Sequence, residues 1–368
     1  MPVPQTQSSA QVQTDFLSAS DAARLVAHVG IVEVLRLVAE AVEADYGRWQ
    51  DFDKSARTAA HSDRGVIELM PVADTRDYAF KYVNGHPLNP LQGLPTVMAF
   101  GALADVATGM PRFVSELTLT TALRTAATSA MAARRLARSG SRSMALIGNG
   151  SQGEFQALAF MALLGVRELR LFDIDLAASQ KLVRNLQPFL PQFGATMVLA
   201  ASVQDAVRGA DIVTTATADK TRAVVMAGDL AEPGMHINAV GGDCPGKTEL
   251  DAGLLQRARV FVEYEPQTRT EGELQQMPAG FAVTELWRVI QGLAPGRSSP
   301  QQITLFDSVG FALEDYSALR TMHALARRTG LLSQIELVPA LADPKDLFAM
   351  VLQARAGQVV PLNERKTA

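Results

Sequence analysis

The chain has 368 residues, 48% of them hydrophobic and 20% charged, with a formal net charge of -4. That length exceeds what one hydrophobic core supports, so two domains are expected, and the mild acidity excludes a nucleic-acid binder. A single cysteine, Cys244, excludes an internal disulfide framework and a thiolate zinc site, and the five scattered histidines offer no close ligand pair, so no metal is expected.

Met1 to Thr14 is polar and rich in Gln and Ser, without the basic start and apolar stretch of a secretory signal, and is expected to be a frayed tail. No apolar run reaches the roughly 18 residues of a membrane span, so no membrane partner and a cytoplasmic location are expected. Between Ile31 and Trp49 the apolar residues Ile31, Val34, Leu35, Val38, Val42 and Tyr46 recur at helical spacing, which predicts an amphipathic helix. Strand patterns follow at Val66 to Met70, Tyr78 to Val83, Thr96 to Leu103 and Arg112 to Leu117, so the first domain is expected to be α+β with an antiparallel sheet. An Ala-rich helix follows, capped by Thr120 or Thr121 and running to about Ala137, before Ser139-Gly140-Ser141 breaks it.

Beyond that break, strands and helices alternate. Strands are expected at Met144 to Ile147, Glu168 to Phe172, Thr196 to Leu199, Asp211 to Thr215, Met235 to Val240, Arg259 to Val262 and Ile303 to Phe306. This alternation predicts an α/β class: a doubly wound parallel sheet over 139–329, joined to an α+β domain of 15–138 plus 330–352, with 1–14 and 353–368 as tails. Pro339 to Met350 is expected to pack on the first domain.

The string Met144-Ala145-Leu146-Ile147-Gly148-Asn149-Gly150-Ser151-Gln152-Gly153 is a buried strand running into a complete G-x-G-x-x-G. Gly148 permits the tight turn, Gly150 the close approach of a pyrophosphate, and Gly153 the packing of the helix that follows, whose first amides face the anion. Asp173 stands 20 residues past Gly153, at the end of the second strand, where a carboxylate accepts both ribose hydroxyls and repels the extra phosphate of NADP. NAD is therefore the expected cofactor, with Asp175 as a decoy for the same role.

Two cations and one acid stand out besides. Lys81 alternates with aromatics in Tyr78-Ala79-Phe80-Lys81-Tyr82-Val83 and is either a cleft lysine with an anionic partner or an edge-strand lysine that discourages aggregation. Arg124, near a helix amino end, is either relieved by a nearby anion or solvated. Asp243 follows the buried strand Met235 to Val240 in a glycine turn, and is either a general acid/base at the ligand crevice or a turn cap.

Together these residues resemble the ornithine cyclodeaminase/mu-crystallin family, and within it the bacterial cyclodeaminase branch. The resemblance runs from about Val29 to Met350. It is carried by Lys54-Ser55-Ala56-Arg57, Val66-Ile67-Glu68-Leu69-Met70-Pro71, Lys81-Tyr82-Val83-Asn84-Gly85-His86-Pro87, Ala122-Leu123-Arg124-Thr125, the glycine motif, Asn238-Ala239-Val240-Gly241-Gly242-Asp243 and Phe306-Asp307-Ser308-Val309-Gly310. It implies a homodimer that converts L-ornithine to L-proline and ammonia with tightly bound NAD. It also implies that Arg57, Lys81 and Arg124 hold the substrate carboxylate, that Glu68 places the distal amine, that Val309 touches ornithine and that Asp243 is the catalytic acid/base. Thr96, Arg124, Ser151, Gln152, Asp173, Thr217, the stretch Ile237, Asn238, Ala239 and Val240, Lys247 and Ser308 would line NAD. The alternatives within the family are a lysine cyclodeaminase and a net amino-acid dehydrogenase or ketimine reductase, and outside catalysis a small-molecule binder.

Overall fold

The computed structural model describes residues 13–218 and 222–357. The first of its two large sheets runs Ser333–Ile335, Thr14–Leu17, Pro111–Glu116, Ala99–Asp105, Asp77–Gly85, Gly65–Ala73, Asp53–Lys54, with Thr58–Ser62 also paired to Gly65–Ala73. It is antiparallel except where Thr14–Leu17 lies parallel to Pro111–Glu116. Thr14, expected in a frayed tail, is fully buried in this sheet and its hydroxyl donates to the Pro111 carbonyl at 2.9 Å.

Side-chain alternation gives this sheet two unlike faces. Met70, Val72, Ala79 and Leu103 are buried on the inner face, with Glu68 and Lys81 among them, while Ile67, Leu69, Tyr78 and Phe100 lie exposed on the other. The strand Asp77–Gly85 is central, between Gly65–Ala73 and Ala99–Asp105, so Lys81 is no edge lysine. The helix Ala312–Thr329 lies on the inner face, and Ile31–Gly47 and Thr118–Leu136 pack against it. The chain therefore returns to the first sheet at Ala312, earlier than the expected boundary at 330. Pro339 to Met350 does not bury its apolar residues as expected: Leu347, Phe348 and Met350 are exposed. The helix Ala349–Gly357 runs into the tail expected from 353.

The second sheet runs Thr196–Leu199, Glu168–Phe172, Ser143–Ile147, Ile212–Thr215, His236–Ala239, Thr304–Asp307, Arg259–Val262, Thr284–Glu285, parallel at each pairing. From the central strand Ser143–Ile147 the chain first builds to one side and then crosses to Ile212–Thr215 on the other. The crevice at that reversal, beyond the carboxyl ends of the strands, is where doubly wound sheets take ligands. Between the two sheets runs Thr118–Leu136, whose Ala126, Ala127, Ala130, Ala132 and Ala133 are buried, small enough to admit neighbours on both sides. Its start is not capped by Thr120 or Thr121: the Glu116 carboxylate accepts from the Leu119 and Thr120 amides at 2.9 and 3.2 Å. Among the described residues no helix is long and apolar enough to cross a membrane, and no cluster of His, Cys, Asp or Glu is arranged to hold a metal.

Candidate active site

The glycine loop stands at the reversal point, between the strand ending at Ile147 and the helix Gly153–Leu164. Gly148 has φ 93°, and a Cβ there would lie 2.6 Å from the carbonyl oxygen of Ala216, which follows the neighbouring strand. A Cβ on Gly153 would meet Leu182 at 2.8 Å, so this glycine brings the helix onto its neighbour. Gly150 differs: a Cβ there would meet nothing within 4 Å, which leaves open space over the loop backbone. Ser151 follows, then Gln152, which makes no side-chain cap bond to the helix amides and whose Oε1 is buried without a hydrogen-bond partner among the described residues. Open space and uncapped amides fit the pyrophosphate end of a dinucleotide.

Asp173 closes the loop from the next strand, accepting from the Asn149 amide at 2.6 Å and the Asp175 amide at 2.9 Å. Each carboxylate oxygen keeps a lone pair for a ribose hydroxyl. Asp175, the decoy, is a helix cap that accepts from the Ala177 amide at 2.9 Å. On the far side of the crevice, Glu249 accepts from the Thr217 amide at 2.7 Å, the Thr217 hydroxyl and the Gly241 amide at 3.0 Å, tying two strand ends together. Ile237, Asn238 and Ala239 are fully buried in their strand, the Asn238 amide donating to Thr214 at 3.3 Å, and Val240 follows, its amide bonded to the Thr215 carbonyl at 2.9 Å. Thr96 lies apart from this group, in the loop before Ala99–Asp105, with its carbonyl taken by the His86 amide at 2.9 Å.

The inner face of the antiparallel sheet carries the second half of the site. Lys81 is 1% exposed and 2.8 Å from Asp315. Burial and the nearby Arg124 bring its ammonium down to about 8 against the pull of Asp315. The Arg124 Nε donates to Asp315 at 2.9 Å and its Nη1 to Glu314 at 2.8 Å. Burial holds Glu314 well above the usual carboxylate range against the pull of Arg124. Gly310 has φ 76°, and a Cβ there would stand 2.6 Å from Arg124 Nη1, so glycine is what lets the guanidinium lie against the Ser308–Gly310 loop. Glu263 holds that loop from below, accepting from the Ser308 hydroxyl at 2.8 Å and the Val309 and Gly310 amides at 3.2 Å each.

Arg57 joins both halves. Its Nη1 donates to Glu68 at 2.9 Å, and its Nη2 donates to the carbonyls of Val309 and Gly310 at 2.7 and 2.6 Å. Asp243, in the turn after His236–Ala239, is half exposed and 3.2 Å from Lys247 Nζ, which also donates to the Thr217 carbonyl at 3.1 Å. The charge of Asp243 acts on Arg57 and on Glu271, so it lies within electrostatic reach of the buried cluster. Sequence reasoning found the three cations, Glu68 and Asp243 but not Glu249, Glu263, Glu271, Glu314 or Asp315. Glu314 and Asp315 occupy the first turn of a helix, where acids are ordinary, so their only signal was the adjacent Phe306 to Gly310 string.

A glycine loop at the reversal of a parallel sheet, facing an inner layer of buried ions, defines a two-domain protein with a Rossmann-type dinucleotide fold. The chain belongs to the Ornithine cyclodeaminase/mu-crystallin family, which residues 20–330 match. It is 54% identical over 338 residues to the ornithine cyclodeaminase of Brucella suis biovar 1 (strain 1330), covering 92% of this chain and 93% of that one. Among solved structures it resembles a lysine cyclodeaminase described with recognition of L-lysine, L-ornithine and L-2,4-diaminobutyric acid, at TM-score 0.85 and 31% identity over 92% of this chain and 99% of the other. It also resembles an archaeal alanine dehydrogenase dimer with bound NAD, at TM-score 0.80 and 30% identity over 89% and 100%.

Proposed function

We propose that this chain is an NAD-dependent ornithine cyclodeaminase, an ammonia-lyase that closes L-ornithine to L-proline. One observation carries the reading. On a single buried sheet face, Glu68 and Lys81 are diagonal neighbours across paired strands, about 7–8 Å apart at the backbone, an acid beside a cation. Such a pair suits a molecule with a carboxylate at one end and an amine at the other. The 54% identity to a curated ornithine cyclodeaminase supports the same conclusion.

Lys81 and Arg124 would take the α-carboxylate: an ammonium has three donors, and the Lys81 ammonium is paired with Asp315. Arg57 would shape the pocket wall between Glu68 and Val309, and Val309 would contact the substrate chain. Asp243, with one side open to solvent, would accept the α-amine proton and return a proton to the leaving ammonia. The loop Gly148 to Gly153, Asp173, Thr217 and Lys247 would hold NAD, with Thr96, Ser308 and the Ile237 to Val240 strand as its remaining neighbours. When bound, NAD supplies a hydride acceptor at the α-carbon and returns the hydride to the ring product, so turnover involves no net redox change. A homodimer, formed through the antiparallel sheet, completes the proposal.

Purified enzyme with ornithine and catalytic NAD+ should release proline and ammonia in equal amounts at constant NADH absorbance. NADH accumulating in step with product would make it a dehydrogenase. Faster conversion of lysine to pipecolate would make it a lysine cyclodeaminase, since one methylene is worth about 1–3 kcal/mol of discrimination.

A further inference from the structure

Arg57 is flanked by two carboxylates. Its Nη1 meets Glu68 at 2.9 Å, its Nε lies 3.0 Å from Glu271 Oε2, and the three side chains are 5%, 6% and 7% exposed. Two negative charges thus share one positive charge out of water, and Asp243 adds to the excess. Glu68 Oε1 is buried without a hydrogen-bond partner among the described residues, and Glu271 Oε2 has the ion pair with Arg57 Nε but no hydrogen bond. A buried acceptor left unpaired is costly, so a ligand that brings donors and positive charge to Glu68 Oε1 and the neighbouring Glu271 carboxylate is favoured.

Glu271 is held here by its own helix. It ends Glu265–Glu271, where a carboxylate opposes the helix dipole, and the same helix fixes Arg57 and its loop through Gln267, which accepts from the Arg57 amide at 3.2 Å and donates to the Gly310 carbonyl at 2.8 Å. A primary ammonium meets the requirement: one positive charge, three donors and a small radius.

Resting on the cyclodeaminase reading above, we propose that Glu271 is a second carboxylate for the distal ammonium of the substrate, binding it jointly with Glu68 and selecting diamino over monoamino acids. Ring closure requires that nitrogen as a free amine, so an N–H bond must break before the C–N bond forms. Burial, together with Glu68 and Asp243, brings Glu271 up to about 7 against the pull of Arg57, a value suited to receiving that proton near neutrality.

The test compares two ligands on one site: KM for ornithine, and the inhibition constant of 2-aminopentanoate, which has the same chain without the distal amine. In Glu271→Gln, KM for ornithine should rise at least about tenfold while the 2-aminopentanoate constant stays within about twofold, the pattern of losing a hydrogen bond to a charged group on one ligand only. Equal weakening of both would assign Glu271 to supporting Arg57 and overturn the proposal, as would no change in either. NAD affinity by fluorescence reports folding. Should the Gln variant lose it, Glu271→Asp, which keeps the charge but withdraws the oxygens, must still lower the preference for ornithine over 2-aminopentanoate, and an unaltered preference overturns the proposal. If the wild-type enzyme makes no proline, the functional reading fails separately. Calorimetric affinities of the two compounds for the wild type and Glu271→Gln then still decide whether Glu271 holds an ammonium.

Discussion

At the scale of single residues the site is a contest between burial and charge, and Lys81 shows which side wins. Desolvation and the repulsion of Arg124 and Arg57 outweigh the attraction of Asp315, so its ammonium titrates at about 8. Below that pH it is charged and able to hold a carboxylate, and as pH rises through about 8 the charge is lost. kcat/KM for ornithine should therefore fall on the alkaline side. In Lys81→Arg the guanidinium stays charged throughout, so its alkaline limb should move upward relative to wild type even if its overall efficiency is lower. The substrate's own amines titrate alike in both enzymes, so superimposable limbs would refute the role of Lys81. Asp243 makes a second case: Asp243→Asn keeps the shape and removes the base, and should lower kcat at least about 100-fold with NAD affinity nearly intact. Near-normal turnover would remove Asp243 from the mechanism. Lys81 and Asp243 were legible in the sequence because one interrupts an apolar strand and the other sits in a glycine turn, and Arg124 because a cation near a helix amino end is unusual, whereas Arg57 and Glu68 took their roles from the family resemblance. Their partners Glu263 and Glu271 were not, because an acid earns notice only when its burial is known, and burial here comes from elements distant in sequence.

Among elements, the parallel sheet was the most legible part, since all its strands but the edge strand Thr284–Glu285 are short, largely apolar runs closed by a turn. The order of its strands was hidden: Thr304–Asp307 inserts between His236–Ala239 and Arg259–Val262, a placement decided by which strand edge remains free. The brief strands Asp53–Lys54 and Thr58–Ser62 also escaped notice, being too polar and short for a period to register. The glycine loop allows a prediction that separates structure from binding. Gly148 combines a positive φ with a backbone oxygen 2.6 Å from where a methyl would stand, so Gly148→Ala strains the turn and should lower both Tm and NAD affinity. Gly150 has no positive φ and no neighbour within 4 Å, so Gly150→Ala should leave Tm within about 2 °C, as for an unstrained surface change. Its methyl would stand where the pyrophosphate approaches, and NAD affinity should fall about tenfold or more, the effect of one displaced phosphate contact. Unaltered NAD binding in Gly150→Ala would show that the open space over the loop is not where the cofactor sits.

For the whole molecule the decisive feature is the outer face of the antiparallel sheet. Sheets of this kind carry polar residues on a solvated face, yet here Tyr82 stacks on Phe100 at 5.1 Å, Phe80 meets Phe100 at 6.4 Å, and Ile67, Leu69 and Phe100 are each more than 40% exposed. A contiguous apolar patch rimmed by polar residues marks an interaction surface. A second copy is the partner proposed, and the archaeal alanine dehydrogenase that shares the fold is itself described as a dimer. The opposite face of the same strands carries Lys81 and Glu68, so the sheet is at once the floor of the proposed substrate site and the proposed interface. Association and catalysis should therefore be coupled through strand geometry. Light scattering on the wild type should give twice the chain mass at micromolar concentration. The double variant Leu69→Glu/Phe100→Glu places like charges on both copies of the patch and should yield monomer. Because those side chains point away from the substrate, NAD affinity in the separate parallel-sheet domain should be kept, while KM for ornithine rises as Glu68 and Lys81 lose their fixed backbone. A monomeric wild type would remove the homodimer, a double variant that remains dimeric would place its interface elsewhere, and either would leave this apolar face to another partner.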